Sequence, residues 1–110
     1  PQPIEGSISM ETPSTHLAFA RAELSRATGP DPDLWNEAVD RADYIYFRFY
    51  AKWRLAEAFF GSGESERGAD VLREVHSETT RIGARLMVER VKQTGLIHGV
   101  RLDYPAGTTL

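Results

Sequence analysis

The side chains of this chain that could take part in chemistry are concentrated in one aromatic stretch, residues 44–60. The rings in it belong to Tyr44, Tyr46, Phe47, Phe49, Tyr50, Trp53, Phe59 and Phe60. On a helix, they could line an apolar pocket or groove, with the tyrosine hydroxyls, Arg48 and Glu57 as polar anchors. We favour the alternative, in which they fill the core around a buried helix, because aromatic residues at helical spacing usually do so. Binding is the only chemistry that these residue types suggest.

The sequence contains no recognisable catalytic or metal-binding constellation. Its histidines, His16, His76 and His98, are far apart, whereas a zinc site requires three or four converging ligands. There is no cysteine, which excludes thiol nucleophiles and disulfides. The serines lie in predicted turns and caps, with no nucleophile motif around them. We predict a protein that is not an enzyme, with no catalytic residue, no metal and no cofactor.

The segment from Gly61 to Gly68, GSGESERG, superficially resembles a phosphate-binding loop. Its glycine spacing does not match the dinucleotide fingerprint, no predicted strand precedes it, and no Lys-Ser or Lys-Thr pair follows it. Glu64 and Glu66 would also repel a phosphate. We interpret the segment as a turn between two helices.

Length and charge restrict the class of protein. A chain of 110 residues is sufficient for one domain with a modest core. A net charge of −3 argues against direct contact with nucleic acid, which needs a clustered basic face. No apolar run approaches the roughly 20 residues of a membrane-spanning helix, and no signal segment is present. With the lack of cysteine, this predicts a cytoplasmic protein without membrane contact. Because the chain starts at Pro1 without an initiator Met, we expect it to be a segment of a longer protein.

Helix start and stop signals predict an all-α fold of about five helices. The first helix begins at Thr12 and Pro13, where a capping residue is followed by proline. Its predicted apolar face consists of Leu17, Ala20 and Leu24, and the break after it is at residues 29–30. No run of alternating apolar residues supports a sheet.

The second helix is predicted to start at Pro32, with Asp31 as its cap. Its apolar face follows a clear helical spacing: Leu34, Trp35, Ala38, Val39 and Ala42. No glycine or proline separates this helix from the aromatic stretch, so one helix from Pro32 to Phe60 is an alternative. Such a helix would be much longer than the average of ~11–12 residues. We prefer a break near residues 44–45, where the apolar stripe changes face and Asp43 could cap a new helix.

Three further helices are predicted. The segment Ile45 to Phe60 is apolar on several faces, which is typical of a central helix that neighbours cover. After a turn at Gly63, the next helix runs from Ser65 to Ile82 and ends at Gly83. The last helix extends from residue 84 to about residue 94. This divides the chain into a leader or linker (1–11), a domain of antiparallel helical hairpins (12–95) and a tail or linker (96–110).

Within this domain, residues 54–76 keep a set of positions apolar or small: Leu55, Ala56, Ala58, Phe59, Gly63, Gly68, Leu72 and Val75. This pattern resembles that of a tetratricopeptide repeat (TPR). Ala56 and Gly68 would let two helix backbones approach closely. The chain departs from the repeat at Thr80, where a closing proline is expected, and at Trp53, one residue from the usual large aromatic. By analogy with peptide-binding TPR grooves, the resemblance implies a ligand or partner groove. Its candidate residues are Tyr46, Tyr50, Trp53, Glu57 and Phe60.

A longer resemblance covers roughly residues 17 to 95. The motifs that carry it are ARAELSR (20–26), DPDLWNEAV (31–39), YAKWRLAEAF (50–59), ADVLREVH (69–76) and IGARLM (82–87). Together they are similar to the helical segment before the DNA-binding domain of large ATP-binding LuxR-type transcriptional regulators of actinobacteria. The ATPase and the helix-turn-helix of such a regulator would lie outside this chain.

The LuxR resemblance implies a non-catalytic sensor or protein-interaction segment that takes part in signal transduction. Its partners would be the other domains of the parent regulator, and it would not contact DNA itself. Two alternatives remain open. One is a free-standing helical adaptor that forms a homodimer through exposed aromatic residues. The other is a small all-α enzyme or ligand carrier that uses the Tyr/Trp pocket with Arg48.

Overall fold

The computed structural model describes residues 12–42 and 44–103, and in that part of the chain all regular structure is helical. The helices are α1 (Thr12–Ser25), α2 (Pro32–Arg41), α3 (Ile45–Gly61), α4 (Ser65–Ile82) and α5 (Arg85–His98). Each helix packs against the next in the chain, and α3 also contacts α5. The predicted all-α fold of helical hairpins is confirmed, with α3 as its central helix.

The predicted break before the aromatic stretch is also confirmed. Helix α2 ends at Arg41, and Ala42 and Tyr44 both have extended backbone conformations. At the other end of α2, Asp31 caps the helix by accepting a hydrogen bond from the Asp33 N–H to its Oδ1 at 2.9 Å. Asp43, the predicted cap of the next helix, lies outside the described residues.

The turn between α3 and α4 forms where the glycines predicted it. Gly63 has a φ of 86°, a left-handed conformation that glycine adopts without strain. The Glu64 N–H donates to the Phe59 carbonyl at 2.8 Å and closes the end of α3. Helix α4 has the predicted bounds, Ser65 and Ile82.

Two clusters of buried side chains form the core, and α3 contributes to both. The first lies among α1, α2 and α3 and contains Ala22, Trp35, Ala38, Val39, Ala51, Leu55, Ala58 and Phe59. The second joins α3 to α4 and α5 and contains Phe49, Trp53, Ala56, Leu72, Val75 and Val91. The central helix is thus fixed on two sides, which leaves only part of its surface for contacts with other molecules.

The predicted apolar face of α1 is wrong. Leu17 and Leu24 are 51% and 74% exposed, and Ala20 is exposed as well. The helix instead buries Ala18 and Ala22. Phe19 lies beside them and packs against the first core cluster, so the inward face of α1 contains Ala18, Phe19 and Ala22.

The last helix is longer than predicted, since it ends at His98 rather than near residue 94. Beyond it, the chain turns back, and Val100 and Leu102 pack against the second core cluster. Arg73 Nε donates to the Arg101 carbonyl at 2.9 Å and holds this segment on α4. The predicted leader and residues 104–110 of the predicted tail lie outside the described residues.

In the described part of the chain, no helix combines the length and the apolar character required to cross a bilayer.

Candidate ligand or partner groove

The structure places the five predicted groove residues along α3 in different environments. Tyr46 is 59% exposed, whereas Tyr50, Glu57 and Phe60 are half-buried and Trp53 is only 7% exposed. Of the five, Tyr46 and Tyr50 line one pocket between α3 and α5. Trp53 is too deeply buried to offer an open surface, whereas the other four remain at least partly accessible.

This pocket, of about 500 Å³, lies between α3 and the start of α5. Helix α3 provides Tyr46 and Tyr50, the turn before α5 provides Gly83 and Ala84, and α5 provides Arg85, Leu86, Met87 and Arg90. Leu86 is 82% exposed and lies at the rim. We call this site the α3–α5 pocket.

Trp53 supports the pocket but does not line it. Its Nε1–H donates to Thr94 Oγ1 at 2.7 Å, in a buried hydrogen bond that links α3 to α5. The Arg90 guanidinium carbon lies 5.5 Å from the centre of the Trp53 ring, and that of Arg54 lies 4.1 Å from it. At these distances both arginines make cation–π contacts with the indole. Trp53 thus helps to position Arg90, which lines the pocket.

Glu57 and Phe60, further along α3, are engaged in contacts within the protein. Glu57 Oε1 accepts a hydrogen bond from Arg54 Nη1 at 2.7 Å. The Phe60 ring stacks on His98 with centroids 4.0 Å apart and nearly parallel planes. It also lies close to Gly68, where α3 and α4 approach each other. These contacts occupy the part of the α3 face that continues from the pocket.

A polar network fixes Tyr50, one wall of the pocket. The Tyr50 hydroxyl donates to the Glu23 carboxylate of α1 and accepts a hydrogen bond from Arg54 Nε at 3.0 Å. The Tyr50 ring also stacks on Phe19 of α1, with centroids 6.0 Å apart. Tyr50 is therefore held by α1 and by its own helix.

The same network changes the titration of two of its members. Burial opposes ionisation of Glu23, but hydrogen bonds from Tyr50 and Arg26 outweigh it, and the pKa of Glu23 is lowered. Burial and the hydrogen bond to Glu23 raise the pKa of Tyr50. Both shifts favour a charged Glu23 beside a neutral Tyr50 hydroxyl.

We expect the stabilisation from this network to be lost in acid. Because the folded-state pKa of Glu23 lies below its ordinary value of 4.5, the contribution is fully present above that pH. It disappears as the pH falls through the lowered folded-state pKa. The difference in the free energy of unfolding between the native protein and Tyr50→Phe should therefore be larger at neutral pH than near pH 3, in urea titrations followed by circular dichroism.

The free energy of unfolding of each protein also changes with pH because of its other carboxylates. The test therefore uses the difference in unfolding free energy between the native protein and Tyr50→Phe at each pH. Glu37→Gln provides a control, because Glu37 forms its ion pair with exposed Arg41 on the same helix. Its unfolding free energy should remain close to that of the native protein, since exposed pairs contribute about 0–1 kcal/mol. An equal Tyr50→Phe difference at both pH values would mean that the hydroxyl does not stabilise the ionised carboxylate.

The electrostatic character of the α3–α5 pocket is positive. Arg85 and Arg90 are its only charged lining residues among those described, in a chain whose net charge is −3. The first turn of α5, which lines the pocket, contains no acidic residue, and no side chain caps its N-terminus. The positive end of the helix dipole therefore adds to the two guanidinium groups.

The lining residues can hold an anion next to an apolar group. Tyr46 and the two arginines supply hydrogen-bond donors, because the Tyr50 hydroxyl already donates to Glu23. The side chains of Leu86 and Met87 supply apolar surface. The lining contains neither a histidine nor a carboxylate that could act as a general base beside a nucleophile. Across the described ranges, no group of three or more His, Asp or Glu side chains could hold a metal ion.

Sequence reasoning missed the half of the pocket that α5 contributes. Leu86 and Met87 match the apolar spacing of an ordinary amphipathic helix, and Arg90 is a charged residue of the kind that usually lies on a solvated helix face. Arg48, predicted as a polar anchor, is exposed and does not line the pocket. No local signal could have identified the α5 residues, because their role depends on how α5 packs against α3.

No protein-family model, curated protein or solved structure matches this chain. The fold and the site define its class as an all-α protein of helical hairpins with a positively charged surface pocket.

Proposed function

We propose that this chain is a non-catalytic helical interaction segment and that the α3–α5 pocket is its contact site. The observation that carries the proposal is the pocket itself. The central helix of a stack of hairpins leaves Tyr46 and Tyr50 open beside the first turn of α5. Concave sites between helices are common places for binding.

We propose further that this chain is a TPR-like segment of a LuxR-type bacterial transcriptional regulator in the cytoplasm. Support comes from the resemblance of residues 17 to 95 to such segments and from the hairpin architecture, in which each unit is stabilised by its neighbours. The other domains of the parent regulator would be its partners. The segment would not contact DNA, in keeping with its negative net charge.

The gene provides the first test of the proposal that this chain belongs to a LuxR-type regulator. Its reading frame should continue beyond these residues into a helix-turn-helix domain. The flanking domains, expressed separately, should bind this chain in calorimetry, and Tyr46→Ala should weaken that binding by about tenfold or more, as expected for an aromatic residue at the centre of a contact. Because Tyr46 is 59% exposed, its removal should leave the fold intact.

Tyr44→Ala is the matched control, since Tyr44 is equally aromatic and 69% exposed but does not line the pocket. If both variants bind like the native chain, the contact site lies elsewhere. A reading frame without a helix-turn-helix, or sequence-specific DNA binding by this chain alone, would contradict the regulator setting.

A homodimer is a second candidate, favoured by the start of α3. Four consecutive large side chains are exposed there: Tyr44, Ile45, Tyr46 and Phe47. Exposed apolar patches often mark association surfaces. A monomer in sedimentation equilibrium at high concentration would exclude this candidate.

A further inference from the structure

We propose that the α3–α5 pocket binds a small organic carboxylate with an apolar body. This inference rests on the proposed function, because it uses the same site, and it adds the chemical class of the ligand.

The size and walls of the pocket fit such a molecule. Its volume of about 500 Å³ lies within the range of roughly 300–1,000 Å³ that is typical of small-molecule sites. The rings of Tyr46 and Tyr50 and the side chain of Met87 offer apolar and aromatic surface to the body of the ligand. Burial of that surface supplies most of the affinity.

The positive charges in the pocket favour a ligand whose polar group is a carboxylate. Arg85 and Arg90 line the pocket, whereas Glu23 of α1, the carboxylate bonded to the pocket residue Tyr50, already accepts the Tyr50 hydroxyl. Guanidinium groups bind carboxylates with strong, charge-assisted hydrogen bonds. A carboxylate between Arg85 and Arg90 would also lie near the positive end of α5.

Two of the lining residues are held in place before a ligand arrives. Tyr50 is fixed by Glu23 and Arg54, and Arg90 lies over Trp53, which is itself hydrogen-bonded to Thr94. Binding to such a site loses less conformational freedom than binding to a surface that must first become ordered.

The neighbouring surface favours a small molecule over a peptide. Beyond the pocket, Glu57 is paired with Arg54 and Phe60 is stacked on His98. A bound peptide would have to displace these contacts or end at the pocket. A ligand confined to the pocket avoids both costs.

A matched pair of probes tests the proposal on the full chain. Indole-3-acetate and indole-3-acetamide have the same aromatic body, but only the acetate is charged. Titrations followed by heteronuclear NMR should shift the amide signals of Tyr46, Tyr50 and Met87 with both probes. The acetate should bind about tenfold more tightly than the amide at low salt, and this advantage should shrink as salt is added.

Substitutions assign the effect to the two arginines. Arg85→Gln and Arg90→Gln should each weaken acetate binding about three- to tenfold and leave amide binding unchanged. Arg48→Gln is the control, because it removes the same charge from α3 outside the pocket. Tyr46→Ala should weaken the binding of both probes, since it removes a wall and not a charge.

Three outcomes would overturn the inference. The first is equal affinity for the acetate and the amide, and the second is an Arg48→Gln effect as large as that of Arg85→Gln. The third is tighter binding of an acidic peptide that displaces the acetate, which would show that the site serves a protein. If neither probe binds while the flanking domains still bind through Tyr46, the inference fails and the proposed function stands. If a probe binds but the flanking domains do not, the carboxylate site stands and the proposed contact with the flanking domains fails.

Discussion

Replacement of Trp35 with alanine is expected to destabilise the protein by about 3–5 kcal/mol. The Trp35 side chain is fully buried and packs edge-on against Phe19 of α1, with ring centroids 6.0 Å apart, and against Tyr50 of α3 at 5.9 Å. It therefore joins three helices at one point. Since domains of this size are stable by only about 5–15 kcal/mol, the substitution would remove a large part of the free energy of unfolding. Urea unfolding followed by far-ultraviolet circular dichroism measures the change.

Phenylalanine at the same position separates the packing of the ring from its polar atom. Among the described residues, the Trp35 Nε1–H has no hydrogen-bond acceptor, whereas that of Trp53 donates to Thr94. A buried donor without a partner costs about 1–3 kcal/mol, so its removal offsets part of the lost packing. Trp35→Phe should therefore be less destabilising than Trp53→Phe, although Trp35 is the more deeply buried. The opposite order would mean that the Trp35 indole N–H is satisfied after all.

The helix boundaries could be predicted where the signals are local. Asp31 followed by Pro32, Gly63 and Gly83 each act within one turn of the chain, through a cap or a left-handed conformation. The bounds of α4 follow from two of these signals alone. Such effects do not depend on the rest of the fold, and sequence reasoning captures them.

The face that a helix buries was predictable only where one face is clearly more apolar. In α2, Trp35, Ala38 and Val39 are buried as expected. In α1, two faces carry apolar residues: Leu17 and Leu24 are exposed, whereas Ala18, Phe19 and Ala22 lie on the inward face. The sequence does not show which of two apolar faces packs inward, and this explains the error.

The pocket could be predicted only in part, since it is built from distant segments. The aromatic spacing of α3 suggested a site with Tyr46 and Tyr50, and both line the pocket. The same spacing also suggested Trp53, which is buried and donates a hydrogen bond to Thr94, 41 residues further along the chain. Which aromatic residues stay open depends on where α5 packs, and no pattern within α3 contains that information.

The close contact between α3 and α4 leads to the second expected result, that Gly68→Ala destabilises the protein by about 1–2 kcal/mol. Within a helix, alanine is intrinsically favoured over glycine by about 0.5–1 kcal/mol. A Cβ at residue 68, however, would lie 2.9 Å from Phe60 Cε1 and 3.0 Å from the Ala56 carbonyl oxygen. The carbonyl can move only if the two helices separate, and the Phe60 ring is held by its stack on His98. Overpacking of this kind costs about 1–3 kcal/mol, which exceeds the intrinsic gain.

Gly61→Ala is the matched control, because Gly61 is also helical but a Cβ there would meet no heavy atom within 4 Å. It retains the intrinsic gain of alanine without the clash and should leave stability unchanged or raise it by up to about 1 kcal/mol. Of the two glycine substitutions, only Gly68→Ala should therefore lower the midpoint of urea unfolding. If Gly68→Ala stabilises the protein, the spacing of α3 and α4 is not limited by contact between their backbones. Small residues at positions 56 and 68 would then not be required for the packing of these two helices.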